Sequence, residues 1–221
     1  MADRDDRPKV VQTNYSQRDD RWQRIMLGES STSIGANGCL LCSIASGMTD
    51  AGAEIQGLPA DPPRLNRWLA RNSGYVAPRS RTRERNLFVF DSLGPLGVEL
   101  VEYIDARKKA APLKELEEAL AQEDTLVALH VDFSPGGSSQ QHWVRAVEWY
   151  EHDIKVMDPW ITGSEQTAYL MTRYALPSWD DPTRAIFRIV IYRATGLEAP
   201  YPAPSVAPRS IVQDELYTYQ A

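Results

Sequence analysis

The chain has 221 residues, 43% of them hydrophobic and 24% charged, which is the composition of a globular protein long enough for one well-buried domain and short for two. It has no run of about 18 apolar residues to span a membrane, and the charged opening Met-Ala-Asp-Arg-Asp-Asp-Arg-Pro-Lys is not a secretory leader. A net charge of −6 argues against nucleic acid as the main partner, and two cysteines three positions apart, Cys39 and Cys42, exclude a disulfide scaffold.

In chain order, residues 1–11 read as an irregular arm with a strand-like patch at Val10–Val11. Residues 39–50 read as a helix, with Leu40, Leu41, Ile44, Ala45 and Met48 as its apolar stripe, entered directly from a turn at Gly35, Asn37 and Gly38. A second helix is expected over 62–72, with proline in its first turn and Leu65, Trp68 and Leu69 on one face. Residues 74–98, rich in Arg, Pro and Gly, read as a long surface excursion, and the basic cluster at 79–85 as a solvated loop or a contact for an anionic surface.

A third, amphipathic helix is expected over 112–122, with Leu113, Leu116 and Leu120 inward. Strands follow: 125–132, a hairpin of 143–150 with 154–157, and 185–193. Helices first and antiparallel strands second is an α+β order, with residues 12–194 as the folded domain. The tail 195–221, with Pro200, Pro202, Pro204 and Pro208 ahead of an aromatic end, reads as a spacer carrying a docking segment for a partner protein.

Cysteine attacks as the thiolate, a form favoured by the positive end of a helix and by a neighbouring imidazolium. Cys39 stands where a Gly-rich turn enters a helix, and the bare Gly38 before it would leave room for a substrate backbone. The bland alternative is a small core residue opening a helix. Cys42 is almost one turn further on and reads as packing, although Cys39-Leu40-Leu41-Cys42 also has the spacing of a redox pair. The two thiols and three scattered histidines lack the paired spacing of a zinc site, and no cofactor is expected.

Among the histidines, His142 opens a strand behind the loop Pro135-Gly136-Gly137-Ser138-Ser139, where substrate and solvent can both reach it. His130 lies inside an apolar strand and His152 in a turn, so both read as structural. Asp158 is the candidate to accept the imidazole Nδ1–H, although Asp-Pro after a strand is also an ordinary turn signal. Geometry restricts this pairing. A two-residue turn at Glu151-His152 would put Asp158 opposite Arg145, on the wrong face for His142. An odd-numbered turn, or a bulge, would put it opposite Val144 and diagonal to His142. For an oxyanion, the Cys39 N–H is one donor, and Gln17 is the candidate side-chain amide with Gln12 as runner-up.

Taken together, Gln17-Arg18-Asp19-Asp20-Arg21-Trp22, Ser33-Ile34-Gly35-Ala36-Asn37-Gly38-Cys39-Leu40-Leu41-Cys42-Ser43, His142-Trp143-Val144 and Asp158-Pro159-Trp160 resemble the papain-like cysteine peptidases related to the bacteriocin-processing, double-glycine-cleaving family. The resemblance covers residues 12 to about 175. It implies a papain-like fold with N-terminal helices packed on an antiparallel sheet, Cys39 as nucleophile, His142 as general base, Asp158 as orienting residue and Gln17 as oxyanion donor. Cys42 departs from the Thr common in such relatives.

The implied reaction is hydrolysis of peptide or isopeptide bonds next to small residues. Peptidoglycan is the implied substrate, reached without a leader as part of a phage virion. The alternatives from other classes are a docking module of a phage particle that keeps the fold, and a thiol–disulfide exchanger.

Overall fold

The computed structural model describes residues 12–77, 85–137, 140–163 and 167–195. The expected arm at 1–11, most of the basic cluster and the Pro-rich tail beyond Thr195 lie outside the described residues.

The architecture is mixed α+β. Two consecutive helices, α1 (Ile34–Asn37) and α2 (Cys39–Asp50), come first, then the small hairpin β1 (Glu54–Ile55) and β2 (Leu58–Pro59), and α3 (Pro62–Arg71). The pair β3 (Tyr75–Val76) and β4 (Leu87–Phe88) leads into a 3-10 helix over Phe90–Leu96 and strand β5 (Val98–Asp105). Helix α4 (Leu113–Leu120) precedes β6 (Thr125–Asp132), β7 (Gln141–Tyr150), β8 (Asp153–Met157), β9 (Thr167–Tyr169), α5 (Leu170–Tyr174) and β10 (Arg188–Ala194). The main sheet has six strands in the order β5-β10-β6-β7-β8-β9, every neighbouring pair antiparallel.

Each face of this sheet carries its own core. On one face lies α2, ten of whose twelve residues are buried, with Trp143, Ala128, Val190, Tyr192 and Phe90. Full burial of each large side chain there contributes about 1.5–3 kcal/mol. The other face packs Val127, Leu129, Val144 and Ile189 beneath Leu116 of α4 and Leu170 and Tyr174 of α5. Helix α3 starts as its sequence dictates: Asp61 caps it by accepting from the Arg64 N–H at 3.0 Å, and prolines fill its first turn.

The surface excursion expected over 74–98 is not what forms. Tyr75, Leu87, Phe88, Val89, Phe90, Leu93, Leu96 and Val98 are all buried. The polar composition of the whole stretch hides a short apolar run that becomes part of the α2-side core.

The β7–β8 hairpin decides the register at issue. Its turn is the two residues Glu151-His152, with Tyr150 paired to Asp153. Ala146 then pairs with Val156 while Glu148 pairs with Lys155, so Val147 is an extra residue, a β-bulge. The bulge reverses the parity of the turn. Arg145 pairs with Met157, which brings Asp158 opposite Val144 and onto the side of the sheet that His142 shares.

Candidate active site

The break between α1 and α2 creates the centre of the site. Ser33 caps α1 with its hydroxyl, and the Gly38 N–H closes on the Ile34 carbonyl. At Gly38 the backbone turns to φ −86°, ψ 15°, and α2 restarts with the Cys42 N–H on the Gly38 carbonyl. The interruption takes the carbonyls of Gly35, Ala36 and Asn37 and the N–H groups of Cys39, Leu40 and Leu41 out of the helical ladder. Gln17 Nε2 donates to the Gly35 carbonyl at 2.9 Å. The Cys39 N–H is left pointing from a helix N-terminus, where developing negative charge is favoured.

Gly38 itself is explained by packing. A Cβ there would come within 2.5 Å of the Ile34 carbonyl oxygen and 2.7 Å of its Cγ2. Its bareness therefore serves the α1–α2 junction, a packing reason for glycine that the sequence reading did not give.

Gln17 reaches this point because residues 13–17 run back along α2. The Thr13 N–H donates to Asp50 Oδ1 at 2.7 Å, and the Tyr15 N–H donates to Ser46 Oγ at 2.9 Å, one turn nearer the helix start. The Gln17 N–H and the Ser16 hydroxyl both donate to the Pro159 carbonyl, at 2.7 and 3.0 Å. The segment is thus tied to the residue after Asp158. Gln12, the alternative amide, lies at the opposite end of α2 beside Asp50, Arg145 and Gln122, and is not part of the site.

His142 sits one residue inside β7, paired with Val131, and only 3% of it is exposed. Its Nε2 is 2.8 Å from Asp158 Oδ1, and the Cys39 side chain is near enough to help raise its pKa. The carboxylate therefore meets Nε2 and not the Nδ1 expected from sequence, which leaves Nδ1 as the nitrogen not taken by Asp158. Burial would lower the imidazole pKa, but the hydrogen bonds and charges of Asp158 and Cys39 outweigh it and raise the value to about 9.

Asp158 is fully buried and its oxygens are occupied. Oδ1 accepts from His142 and, at 2.8 Å, from the Trp160 N–H; Oδ2 accepts from the Tyr174 hydroxyl at 2.6 Å and lies 3.7 Å from Arg173 Nε. Burial alone would raise the carboxyl pKa, yet His142, Tyr174 and the Trp160 N–H hold it below the usual carboxylate range. Tyr174, pushed far upward by burial and by Asp158, stays a neutral donor. The sequence reading missed Tyr174. Its only local signal is the spacing from Leu170, which marks a buried helix face and no chemistry.

The remaining candidates fall outside the cluster. Cys42 is completely buried in the α2-side core, and burial together with Cys39 raises its pKa well above the ordinary thiol value. His130 is also buried: its Nδ1 meets Arg188 at 2.7 Å and its ring stacks on Trp143, and burial and the Arg188 charge hold it neutral. His152 is exposed in the hairpin turn. Among the described residues no group of three His, Cys, Asp or Glu could hold a metal ion, and no helix is long and apolar enough to cross a membrane.

The structure therefore brings Cys39, His142, Asp158 and Gln17 together, four side chains 6% exposed or less, from α2, β7, the end of β8 and the lead-in segment. An acid, an imidazole and a thiol in this chain can generate a thiolate–imidazolium pair beside two N–H donors. No protein-family profile matches the chain, and no curated protein matches it.

Proposed function

We propose that this chain is a papain-like cysteine peptidase, akin to the double-glycine-cleaving family, that hydrolyses peptide or isopeptide bonds through an acyl-enzyme. The observation that supports the reading is the buried His142 bonded to Asp158 at 2.8 Å, with the Cys39 thiol close enough to help raise its pKa. The Cys39 thiolate attacks the scissile carbonyl carbon, and the oxyanion takes hydrogen bonds from the Cys39 N–H and the free proton of Gln17 Nε2. The His142 imidazolium gives its proton to the leaving amine, which departs as the thioester forms. A water then loses a proton to His142, attacks the thioester and releases the acid, restoring the thiolate.

Disulfide exchange fits less well, because a fully buried Cys42 with a raised pKa is a poor thiolate. Cell-wall stem peptides and cross-bridges, reached from a phage particle, are the substrates that the sequence resemblance favours. The test incubates purified cell wall with the wild type, Cys39→Ala and Cys42→Ala, and reads newly released amino groups. Loss of release in Cys39→Ala alone is the expected result. Equal loss in both variants would point to folding or redox roles, and no release by the wild type, with both thiols alkylated slowly and equally, would point to a docking module.

A further inference from the structure

Outside the reacting groups, the same end of the sheet carries an aromatic wall capped by two cations. The Phe133 ring lies edge-on to His142 at 5.1 Å between centroids, and Trp160 lies edge-on to Phe133 at 5.4 Å. The Arg18 guanidinium stands 4.9 Å from the Trp160 ring centroid. The Arg173 guanidinium stands 5.4 Å from both the Phe133 and Tyr174 rings. Stacking on rings fixes the plane of a guanidinium while leaving its N–H edge open, which is how arginine presents a fork to a carboxylate.

The carboxylates nearest Arg18 are engaged elsewhere, and Arg173 has a carboxylate only at the long distance of 3.7 Å from its Nε, with that acid shared by three other donors. Asp19 is bound by Arg21 through two hydrogen bonds of 3.0 and 2.7 Å, and Asp20 accepts from Gln23. Asp132 accepts the Ser134 and Gln140 N–H groups. The acid near Arg173 is Asp158, shared by His142, Tyr174 and Trp160. Among the described residues no carboxylate pairs with Arg18, which is exposed, and the Arg173 side chain is 37% exposed. Two accessible cations against the rings around His142 and Asp158, in a chain of net charge −6, are a local feature that overall composition does not supply.

We propose that Arg18 and Arg173 form a carboxylate-binding rim on the candidate active site, so that the substrate is a peptide carrying a carboxylate close to the bond cleaved. This rests on the cysteine peptidase reading. Arg18 follows the candidate oxyanion donor Gln17 directly, and Arg173 precedes Tyr174 and lies 3.7 Å from Asp158, so a carboxylate bound by both would border the groups to which that reading gives the chemistry.

The test compares alkylation of Cys39 in the full chain by iodoacetate, which carries a carboxylate, and by neutral iodoacetamide, with the modified residue read by mass spectrometry. The wild type should favour iodoacetate more strongly than a free thiol does. Arg18→Gln and Arg173→Gln should each cut that preference by roughly fivefold, the weight of one exposed ion pair. Arg18→Lys and Arg173→Lys should keep most of it, and Arg21→Gln, whose guanidinium is held by Asp19, should leave it unchanged. An undiminished preference in both Gln variants would overturn the rim while leaving Cys39 as the nucleophile. Failure of either reagent to select Cys39 over Cys42 would instead remove the peptidase reading beneath it.

Discussion

Asp158 faces His142 because Val147 has no partner in the neighbouring strand. The tight turn Glu151-His152 sets a pairing that would carry Asp158 to the Trp143 side of the sheet, and the single extra residue at Val147 restores it. A backbone irregularity five residues from the histidine therefore determines which side of the sheet its acid occupies. The charge relationship at the site, and the predictions that depend on it, follow from this register.

The first prediction concerns pH. The folded pKa of His142 is about 9 against an ordinary 6.5, so its contribution to stability is complete below about 6.5 and is lost as pH rises through about 9. Asp158 is depressed, so its contribution is present above its ordinary value of 3.8 and is lost as pH falls below that. Denaturation midpoints should be highest between about pH 4 and 6.5. Asp158→Asn should move the alkaline decline to lower pH, and the alkaline limb of peptide hydrolysis with it; an unmoved limb would separate His142 from both.

Tyr174→Phe tests the outer hydrogen bond. The variant keeps the ring but leaves Asp158 Oδ2 without its 2.6 Å donor, a buried acceptor whose loss of partner costs about 1–3 kcal/mol of stability in urea unfolding. The carboxylate becomes easier to protonate, so the acid limb of kcat should shift to higher pH while KM holds. A stability loss with an unchanged profile would make Tyr174 a packing residue only.

Gln17→Ala should lower kcat by about 10²–10³, the usual weight of one oxyanion donor, with little change in KM. Rapid alkylation of Cys39 should survive, since the thiol and His142 are untouched. If kcat is also unchanged, Gln17 serves only to hold the Gly35 carbonyl.

Asp50→Ala reads the far end of α2. Asp50 Oδ2 is 2.6 Å from Arg145 Nη1, with side chains 6% and 12% exposed, and Oδ1 accepts the Thr13 N–H. Breaking so buried a pair costs about 3–5 kcal/mol. It also releases the segment that delivers Gln17, so kcat should fall although the residue lies at the other end of α2, about 16 Å along the helix from Cys39. Thermal melting alongside peptide kinetics checks both effects.

Much of the helical part was legible in the sequence. The stripe Leu40, Leu41, Ile44 and Met48 fixes α2 and its buried face, and proline in the first turn marks the start of α3, because 3.6-residue periodicity and the place of proline are local rules. Strands β6, β7 and β8 were visible as apolar runs, within a residue or two at their ends. Strands β5 and β9 and helix α5 were not, since their patterns are short or half exposed, and the apolar run 87–90 was masked by its polar surroundings.

The amino-acid sequence by itself determined the α+β class, the thiol at a helix start and the three side chains that could serve it, because residue type and local spacing are enough for each. Only the tertiary structure decided that Asp158 binds Nε2 and not Nδ1, that Gln17 and not Gln12 reaches the α1–α2 junction at the Gly35 carbonyl, and that Tyr174 and two arginines against aromatic rings complete the surroundings. Those outcomes depend on one bulge in β7 and on which end of α2 the lead-in segment meets, relationships between distant parts of the chain that no local pattern encodes.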